Sequence, residues 1–234
     1  MTRKRSANAT ARARVRRGNA DDALQLRGEL LDAALQLFAE GGLDAVTMRS
    51  VAARVGVATM TPYRYFADKA MLLREIWLHV LAEAFNAMQS AGAAHPDIKP
   101  RIRAELAALF DYWEAHPEQF RLVFMTEQTS GLMQASGPGS ANVYSAILDQ
   151  SLQEARALAV AIGGDAGKAK LASDMRALMG MGYLHARIVN RQYPWSDPAL
   201  LRAACIDNIL AAMERCLADV EPPQAGSRRA RTRR

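Results

Sequence analysis

The sequence predicts an all-α protein of about nine helices, and three observations support this fold class. Helix-forming Ala, Leu, Met, Arg and Glu dominate the chain between its ends, whereas period-two runs of β-branched residues are absent. Glycines and prolines cut the chain into pieces of helical length. Half of the 234 residues are hydrophobic, which is enough for a substantial core.

Positive charge is concentrated at the two ends of the chain. The net charge is +6, yet residues 1–20 and 222–234 hold 12 of the 30 basic residues and none of the 24 acidic ones. Residues 21–221 therefore carry a net charge of −6. We interpret residues 1–20 as a disordered basic arm and residues 221–234 as a disordered basic tail, since such ends often attach to phosphate backbones. The alternative is solubilising ends that have no partner.

The first predicted helix follows Asp21–Asp22, whose carboxylates suit the exposed N–H groups of a helix N-terminus. Leu31, Leu35 and Phe38 recur at helical spacing and form one apolar stripe. The pair Gly41–Gly42 can adopt the left-handed conformation that ends a helix.

Two short helices with a tight turn between them are predicted next. Thr47 suits the N-cap of the second helix, and Val51, Ala52 and Val55 are expected to face inward. Gly56 permits the tight turn that precedes a third short helix. This is the helix-turn-helix pattern, in which the second helix of the pair enters the major groove of DNA. Alone, the pattern is weak evidence, because many helical proteins contain such a turn.

The stretch from Ala33 to Leu72 resembles the N-terminal DNA-binding domain of the TetR family of regulators. The matching features are Ala34, Phe38, Gly41, Thr47, Val51–Ala52, Gly56–Val57, Tyr63, Tyr65–Phe66, Lys69 and Leu72. The resemblance implies a helix-turn-helix domain at residues 21–72. Residues 73–220 are similar to the family's helical ligand-binding and dimerisation domain only in length and composition.

The resemblance implies roles for individual residues around a recognition helix in the major groove. Thr59, Met60 and Thr61 occupy the leading turn of that helix and are the candidates for base contacts. Arg49 can also reach a base, because a guanidinium pairs bidentately with guanine. Phosphate contacts are expected from four further residues, Thr47, Tyr63, Tyr65 and Lys69. Arg64 is expected to contact either a phosphate or a base.

Two departures from the family's pattern affect the recognition helix. Ala58 stands where many relatives have a capping serine, and Pro62 stands where an aliphatic residue is usual. We expect this helix to begin at Thr59, because Pro62 then falls in the first turn, where a missing N–H costs little.

Aromatic and methionine side chains recur along the helices of residues 73–220. They are candidates for an apolar ligand cavity of the kind found between helices. The candidates are Trp77, Phe85, Trp113, Phe124, Met125, Tyr144, Met179, Tyr183 and His185. Ordinary core packing is the alternative for each of them, and for His185 it is a satisfied core or interface histidine.

Two long helices, at about residues 168–191 and 197–219, complete the predicted fold. Their apolar stripes are Ala177, Gly180, Met181 and Leu184 on one helix, and Ile206, Ile209, Leu210 and Met213 on the other. The resemblance implies that such helices form the interface of a homodimer, and a two-fold dimer would read a palindromic operator. Burial within one subunit is the alternative.

The function implied is a transcriptional repressor of the bacterial cytosol, associated with the nucleoid when bound to double-stranded DNA and released by a small apolar effector. The two cysteines fit a reducing compartment. An architectural DNA-binding protein driven by its basic tails is a second hypothesis. An enzyme is a third and disfavoured one, because no metal-ligand spacing, phosphate loop or activated nucleophile is present. We therefore expect no enzymatic activity, no cofactor, no metal and no membrane attachment.

Overall fold

Every regular element in the described part of the chain is helical. The computed structural model describes residues 3–125 and 140–218, with side chains for residues 21–125 and 145–218. Within these ranges lie eight α-helices and two 3₁₀ helices. The α-helices are α1 (Arg3–Ala45), α2 (Met48–Val55), α3 (Lys69–Ala93), α4 (Ile98–Ala115), α5 (Pro117–Phe124), α6 (Ser140–Ile162), α7 (Ala169–Val189) and α8 (Pro198–Leu217), and the 3₁₀ helices are Pro62–Arg64 and Ala166–Lys168. The predicted all-α fold class is confirmed.

Helix α1 differs from the sequence prediction at its N-terminus. The helix continues back to Arg3, whereas the sequence predicted a disordered arm to residue 20 and a helix start at Asp21–Asp22. The alanines and arginines before residue 21 have high helix propensity and include no proline, which explains the continuation. The predicted break is present, since Gly41 (φ −143°) and Gly42 (φ 66°) leave the helical conformation. The predicted tail, residues 221–234, lies outside the described residues.

Prolines set the start of two later helices, and a capping aspartate that the sequence analysis did not identify adds to this at α8. Pro117 and Pro198 stand in the first turns of α5 and α8, where no intrahelical N–H bond is lost. The side chain of Asp197 accepts hydrogen bonds from the backbone N–H groups of Ala199 and Leu200, both at 3.0 Å. These local signals account for α8 beginning within about two residues of its predicted start.

The chain divides into two compact units, and each has its own apolar core. Unit 1 comprises Met1–Asn86 and Tyr112–Ser145. In it, α1 packs against α2 and α5. Its buried side chains include Leu30, Ala34, Phe38, Val51, Phe66, Leu72, Ile76, Trp77, Trp113 and Phe120. The predicted domain boundary after residue 72 stays a prediction.

Unit 2 comprises Ala87–Asp111 and Ala146–Arg234. Helices α7 and α8 pack against each other within it. Phe110 stacks on Tyr183 with ring centroids 4.4 Å apart and an angle of 25° between the ring planes, and such ring pairs stabilise a fold beyond the effect of burial. Among the described residues, no helix is long and apolar enough to cross a membrane.

Candidate nucleic-acid interface

The N-terminus of α2 is fixed by a reciprocal capping box. The Thr47 hydroxyl accepts a hydrogen bond from the backbone N–H of Ser50 at 3.0 Å, and the Ser50 hydroxyl accepts one from the backbone N–H of Thr47 at 2.9 Å. The predicted N-cap is therefore confirmed. Because Met48 is buried, the neighbouring Arg49 is turned outward and exposed on the first turn of α2.

Removing this cap gives a measurable change in stability. We expect Thr47→Ala to lower the free energy of unfolding by about 1 kcal/mol, because the N–H of Ser50 loses its acceptor. Denaturant unfolding of the purified protein measures the change. Thr59→Ala, in an exposed turn, is the control and should shift the value by less than about 0.5 kcal/mol. Equal effects of the two substitutions would contradict a capping role for Thr47.

The turn after α2 requires a left-handed residue, and glycine provides it. Gly56 has φ 77° and ψ 28°, a conformation that other residues adopt only with strain. The backbone N–H of Val57 then donates to the carbonyl of Ala52 at 3.0 Å, which closes the end of α2. The chain reverses at this point into residues 58–66, which we call the recognition segment.

The recognition segment is a series of tight turns, and the prediction of a recognition helix beginning at Thr59 is wrong. Thr59 and Met60 lie in a turn closed by the hydrogen bond from the Thr61 N–H to the Ala58 carbonyl, 2.8 Å long. A single 3₁₀ turn, Pro62–Arg64, follows. Pro62 occupies the first position of that turn instead of the third position of an α-helix, and its missing N–H costs little there.

The recognition segment has one buried side and one exposed side. Pro62 and Phe66 are buried beneath it. Met60 and Tyr63 keep 68% and 45% of their surface exposed, so both side chains are accessible to a binding partner. Thr59 and Arg64 are also exposed, whereas Thr61 and Tyr65 are half-buried. The structure thus places all of these predicted contact residues on one short segment, four of them facing outward.

The ammonium group of Lys69 holds the start of α3 against the preceding corner of the chain. Its Nζ donates to the carbonyl of Leu43 at 2.7 Å, and the side chain is half-buried. The carboxylate of Asp68 accepts from the backbone N–H of Met71 at 2.8 Å and so caps α3. Lys69 therefore links the last turn of α1, just after the glycine interruption, to the helix that follows the recognition segment.

Arg27 supports the recognition segment from α1. Its guanidinium forms an ion pair with Glu75 of α3 at 2.5 Å and lies 5.6 Å from the centroid of the Phe66 ring. Such a cation–π contact orients the ring as well as burying it. Sequence reasoning did not find this contact, because 48 residues separate Arg27 from Glu75 and no short-range spacing marks such a pair.

Arg54 is held by an acidic partner, unlike its neighbour Arg49 on the same helix. Its two terminal nitrogens donate to the two carboxylate oxygens of Glu40 at 2.9 and 2.6 Å. This fork-like pairing holds the pKa of Glu40 below its usual value. Arg54 thus has a structural contact within unit 1, and the sequence did not assign it to the DNA-binding set.

Comparison with known families identifies the segment that contains these features. Residues 30–76 match the family described as bacterial regulatory proteins, tetR family. Over these residues the chain is similar to the TetR family. The match covers α2, the Gly56 turn, the recognition segment and the start of α3, which are the elements predicted from the sequence to bind DNA.

Curated relatives share mainly the same N-terminal half. The transcriptional activator FasR of Mycolicibacterium smegmatis is 31% identical over 109 residues, which cover 47% of this chain and 50% of the relative. The transcriptional regulator BetI of Burkholderia cenocepacia is 40% identical over 86 residues, covering 36% and 44%. The chain therefore spans about half the length of the curated relatives it matches.

Solved structures extend the likeness of fold over most of the chain. A tetR family transcription regulator from Shewanella sp. PV-4 matches with a TM-score of 0.59 at 22% identity, covering 80% of this chain and 96% of that one. A protein of unknown function from Rhodococcus sp. RHA1 matches with a TM-score of 0.66 at 18% identity, covering 80% and 94%. At such identities the similarity establishes the fold.

The ligand candidates of unit 1 include a packed aromatic cluster. Trp113 is 2% exposed, and its ring lies edge-on to Phe124 at 5.3 Å and to Phe120 at 5.7 Å. The indole N–H of Trp77 donates to the carbonyl of Val123 at 3.4 Å. Phe124 is 41% exposed, so its side chain is only partly covered by the other rings. Core packing therefore accounts for Trp77 and Trp113, and Phe124 keeps a surface that a ligand could contact.

The remaining ligand candidates differ in exposure. Phe85 and Met179 are half-buried, Met125 is 41% exposed, and Tyr183 is buried against Phe110. His185 is exposed, so the alternative of a histidine satisfied in the core is wrong, because it lies on the outward side of α7. The side chain of Tyr144 lies outside those described. Among residues 21–125 and 145–218, no group of three His, Cys, Asp or Glu side chains is placed to hold a metal ion.

Proposed function

We propose that the chain is a DNA-binding transcriptional regulator whose recognition segment enters the major groove. One observation carries this proposal. Within the part matching the TetR family, the recognition segment exposes Thr59, Met60, Tyr63 and Arg64 while Pro62 and Phe66 anchor it from below. A segment with outward polar, cationic and apolar side chains suits a surface of base edges and phosphates.

The exposed residues divide into base readers and phosphate contacts in this proposal. Thr59, Met60 and Arg49 contact base edges, and the thioether of Met60 suits the methyl group of thymine. Thr61 is the further base-edge candidate. Phosphate oxygens are bound by Thr47, Tyr63, Tyr65 and Lys69, and by Arg64 where it does not reach a base. The hydrogen bond from Lys69 to Leu43 leaves two more N–H donors on its ammonium for a phosphate.

We propose that the regulator acts as a homodimer on a palindromic operator. The stripes first assigned to the interface are largely buried within the chain, including Leu184, Ile209 and Met213. A different set of apolar side chains on α7 and α8 faces outward. It comprises Leu171 (54% exposed), Leu178 (69%), Val189 (42%) and Leu200 (71%), and the exposed Gly182 and His185 lie on the same side of α7. An apolar stripe of this kind favours burial against a second copy.

A small apolar effector is proposed to release the dimer from DNA, which makes the regulator a repressor. The half-packed ring of Phe124 and the exposed Met125 next to it support an apolar contact surface in unit 1. Ligand and DNA binding are then reciprocally coupled through α3, which begins at the recognition segment and continues to Ala93. Activation in place of repression is the other outcome of the test.

The experiment is a gel-shift titration with DNA from upstream of the chain's own gene, in the presence of excess unrelated DNA and at several salt concentrations. We expect a discrete complex, a symmetric footprint, and loss of the complex with Tyr63→Ala. A smear that unrelated DNA abolishes would contradict operator recognition and favour the architectural hypothesis. Selection from random DNA separates this outcome from the case in which the operator lies elsewhere.

A further inference from the structure

Three charged side chains lie buried together in unit 2. Glu105 of α4, Glu154 of α6 and Arg176 of α7 have 1%, 6% and 5% of their surface exposed. Charged residues are almost never buried to this degree unless they are paired with one another. The three side chains therefore act as one group, which we call the buried triad.

The guanidinium of Arg176 bridges the two carboxyl groups. Its Nη2 donates to Oε2 of Glu105 at 2.9 Å, and its Nη1 donates to Oε2 of Glu154. The other two carboxyl oxygens face Gln150, whose Nε2 donates to Oε1 of Glu154 at 2.8 Å and lies 3.4 Å from Oε1 of Glu105. Gln89 of α3 in turn donates to Oε1 of Gln150. The triad and the two glutamines thus join four helices through directional hydrogen bonds.

The charges of the triad do not balance without a proton. Two ionised carboxylates and one guanidinium leave a net charge of −1 in a site shielded from water. Burial of an uncompensated charge is so unfavourable that the group becomes neutral instead. The backbone of α3 also closes the site, since a Cβ atom built on Gly92 would lie 2.4 Å from Oε1 of Glu105. A proton is the positive species that fits this space.

We propose that the buried triad is a proton-binding site, in which the carboxyl of Glu105 holds one proton in mildly acidic solution and releases it as the pH rises through the neutral range. The released proton passes to solvent water or hydroxide and leaves Glu105 as a buried carboxylate. This inference goes beyond the proposed function and does not depend on it.

The charged groups around Glu105 shift the pKa of its carboxyl in opposite directions. Burial raises the pKa of Glu105 to about 7, Arg176 opposes the rise and Glu154 adds to it. From α3 the site is faced by Gln89 and Gly92, which do not titrate. Helices α4 and α8 are joined by charged pairs that are partly exposed, and these are Lys99–Glu214, Arg103–Asp207 and Arg202–Asp111.

The proton makes stability depend on pH with a definite sign. The raised pKa means that the folded chain binds more protons than the unfolded chain between the ordinary value of 4.5 and about 7. The stability that this proton contributes is therefore fully present below pH 4.5 and is lost as the pH rises through about 7. Within this window, one proton changes the folding equilibrium constant by up to about tenfold per pH unit.

The test compares the full-length chain with Glu105→Gln, a neutral side chain of the same shape, in denaturant unfolding from acidic to alkaline pH. We expect the folding equilibrium constant of the wild type to fall relative to the variant by up to about tenfold per pH unit as the pH rises towards 7. Glu214→Gln, in a more exposed ion pair of the same unit, is the matched control and should run parallel to the wild type. Parallel curves for Glu105→Gln would overturn the proposal.

A second measurement serves if Glu105→Gln does not fold. Infrared difference spectra of the wild type, recorded against pH, report the carbonyl stretch of a protonated carboxylic acid. We expect this band to persist above the pH at which exposed carboxyls ionise and to disappear near the raised pKa. If it disappears together with the bands of the exposed carboxyls, the triad holds no proton and the proposal fails.

Discussion

Replacing Arg176 with methionine is expected to lower the free energy of unfolding by about 3–5 kcal/mol near neutral pH, because the variant leaves two buried carboxyl groups without a cation. The guanidinium donates to both Glu105 and Glu154 within a site that is almost closed to solvent. Methionine fills a similar volume, so the loss comes from electrostatics and hydrogen bonding and not from a cavity. Denaturant unfolding followed by circular dichroism measures it.

The pH dependence of this loss distinguishes the electrostatic contribution of Arg176 from its contribution to packing. In acid both carboxyls can take up a proton, so the penalty in Arg176→Met should shrink as the pH falls. Lys170→Met on the same helix is the control. Its ion pair with Asp174 is exposed, and removal should cost less than about 1 kcal/mol. A loss that is equally large at every pH would mean that Arg176 contributes packing alone.

A triple substitution tests whether the triad stabilises unit 2 or only fixes its geometry. With Glu105→Leu, Glu154→Leu and Arg176→Met together, no buried charge remains. Replacing buried ion clusters by apolar groups is often neutral or stabilising by about 1–4 kcal/mol, because desolvation offsets most of the attraction between the charges. We therefore expect the triple variant to recover the stability that the single variant loses.

Features set by local chemistry could be predicted from the sequence. Thr47 caps α2, Gly56 adopts the left-handed turn, and Gly41–Gly42 interrupts α1, as the residue types indicated. Each depends on one residue and its immediate neighbours, so no knowledge of the tertiary structure is needed. The same holds for the breaks around α5 and α8, where prolines prevent the preceding helix from continuing.

Local sequence signals did not determine the conformation of the recognition segment. A proline is compatible with the first turn of an α-helix and equally with a 3₁₀ turn, so the position of Pro62 did not decide between them. Burial of Pro62 and Phe66 decides it, because the tight turns place both side chains inward and leave Met60 and Tyr63 outside. The choice of contact residues stays a prediction, whereas the expected helical shape of the segment that carries them is wrong.

Contacts between distant parts of the chain left no signal in the sequence. The two ion pairs of Arg176 join residues 71 and 22 positions apart, and helical periodicity cannot indicate such partners. Periodicity also identified an apolar face of α8 without indicating what covers it. The side chains of Ile209 and Met213 are covered by the chain itself, and Leu200, outside that stripe, remains exposed.

Arg49→Ala is expected to weaken operator binding by roughly 30-fold to 20,000-fold. A bidentate contact between arginine and guanine contributes about 1–3 kcal/mol, and a dimer on a palindrome makes it twice. Arg49 is exposed on the first turn of α2, beside the residue that caps the helix. Titration of the purified variant on the operator, at fixed salt, measures the loss.

Arg54→Ala is the matched control for this substitution. Arg54 lies on the same helix and carries the same charge, but its guanidinium is bound to both carboxylate oxygens of Glu40. Its removal should therefore leave the preference for operator DNA over unrelated DNA nearly unchanged. If both variants lose equal affinity on both kinds of DNA, the effect comes from net charge, and Arg49 reads no base.

Changing the DNA as well as the protein distinguishes a contact of Arg49 with a base from a contact with a phosphate. If the guanidinium reads a guanine, exchanging that base pair weakens binding of the wild type, while Arg49→Ala binds both operators equally. If the guanidinium binds a phosphate, the variant loses affinity uniformly across sequences and its salt dependence becomes shallower by about one unit of slope. A guanine contact would make α2 a second reading element beside the short recognition segment, which offers only four outward side chains for bases and phosphates together.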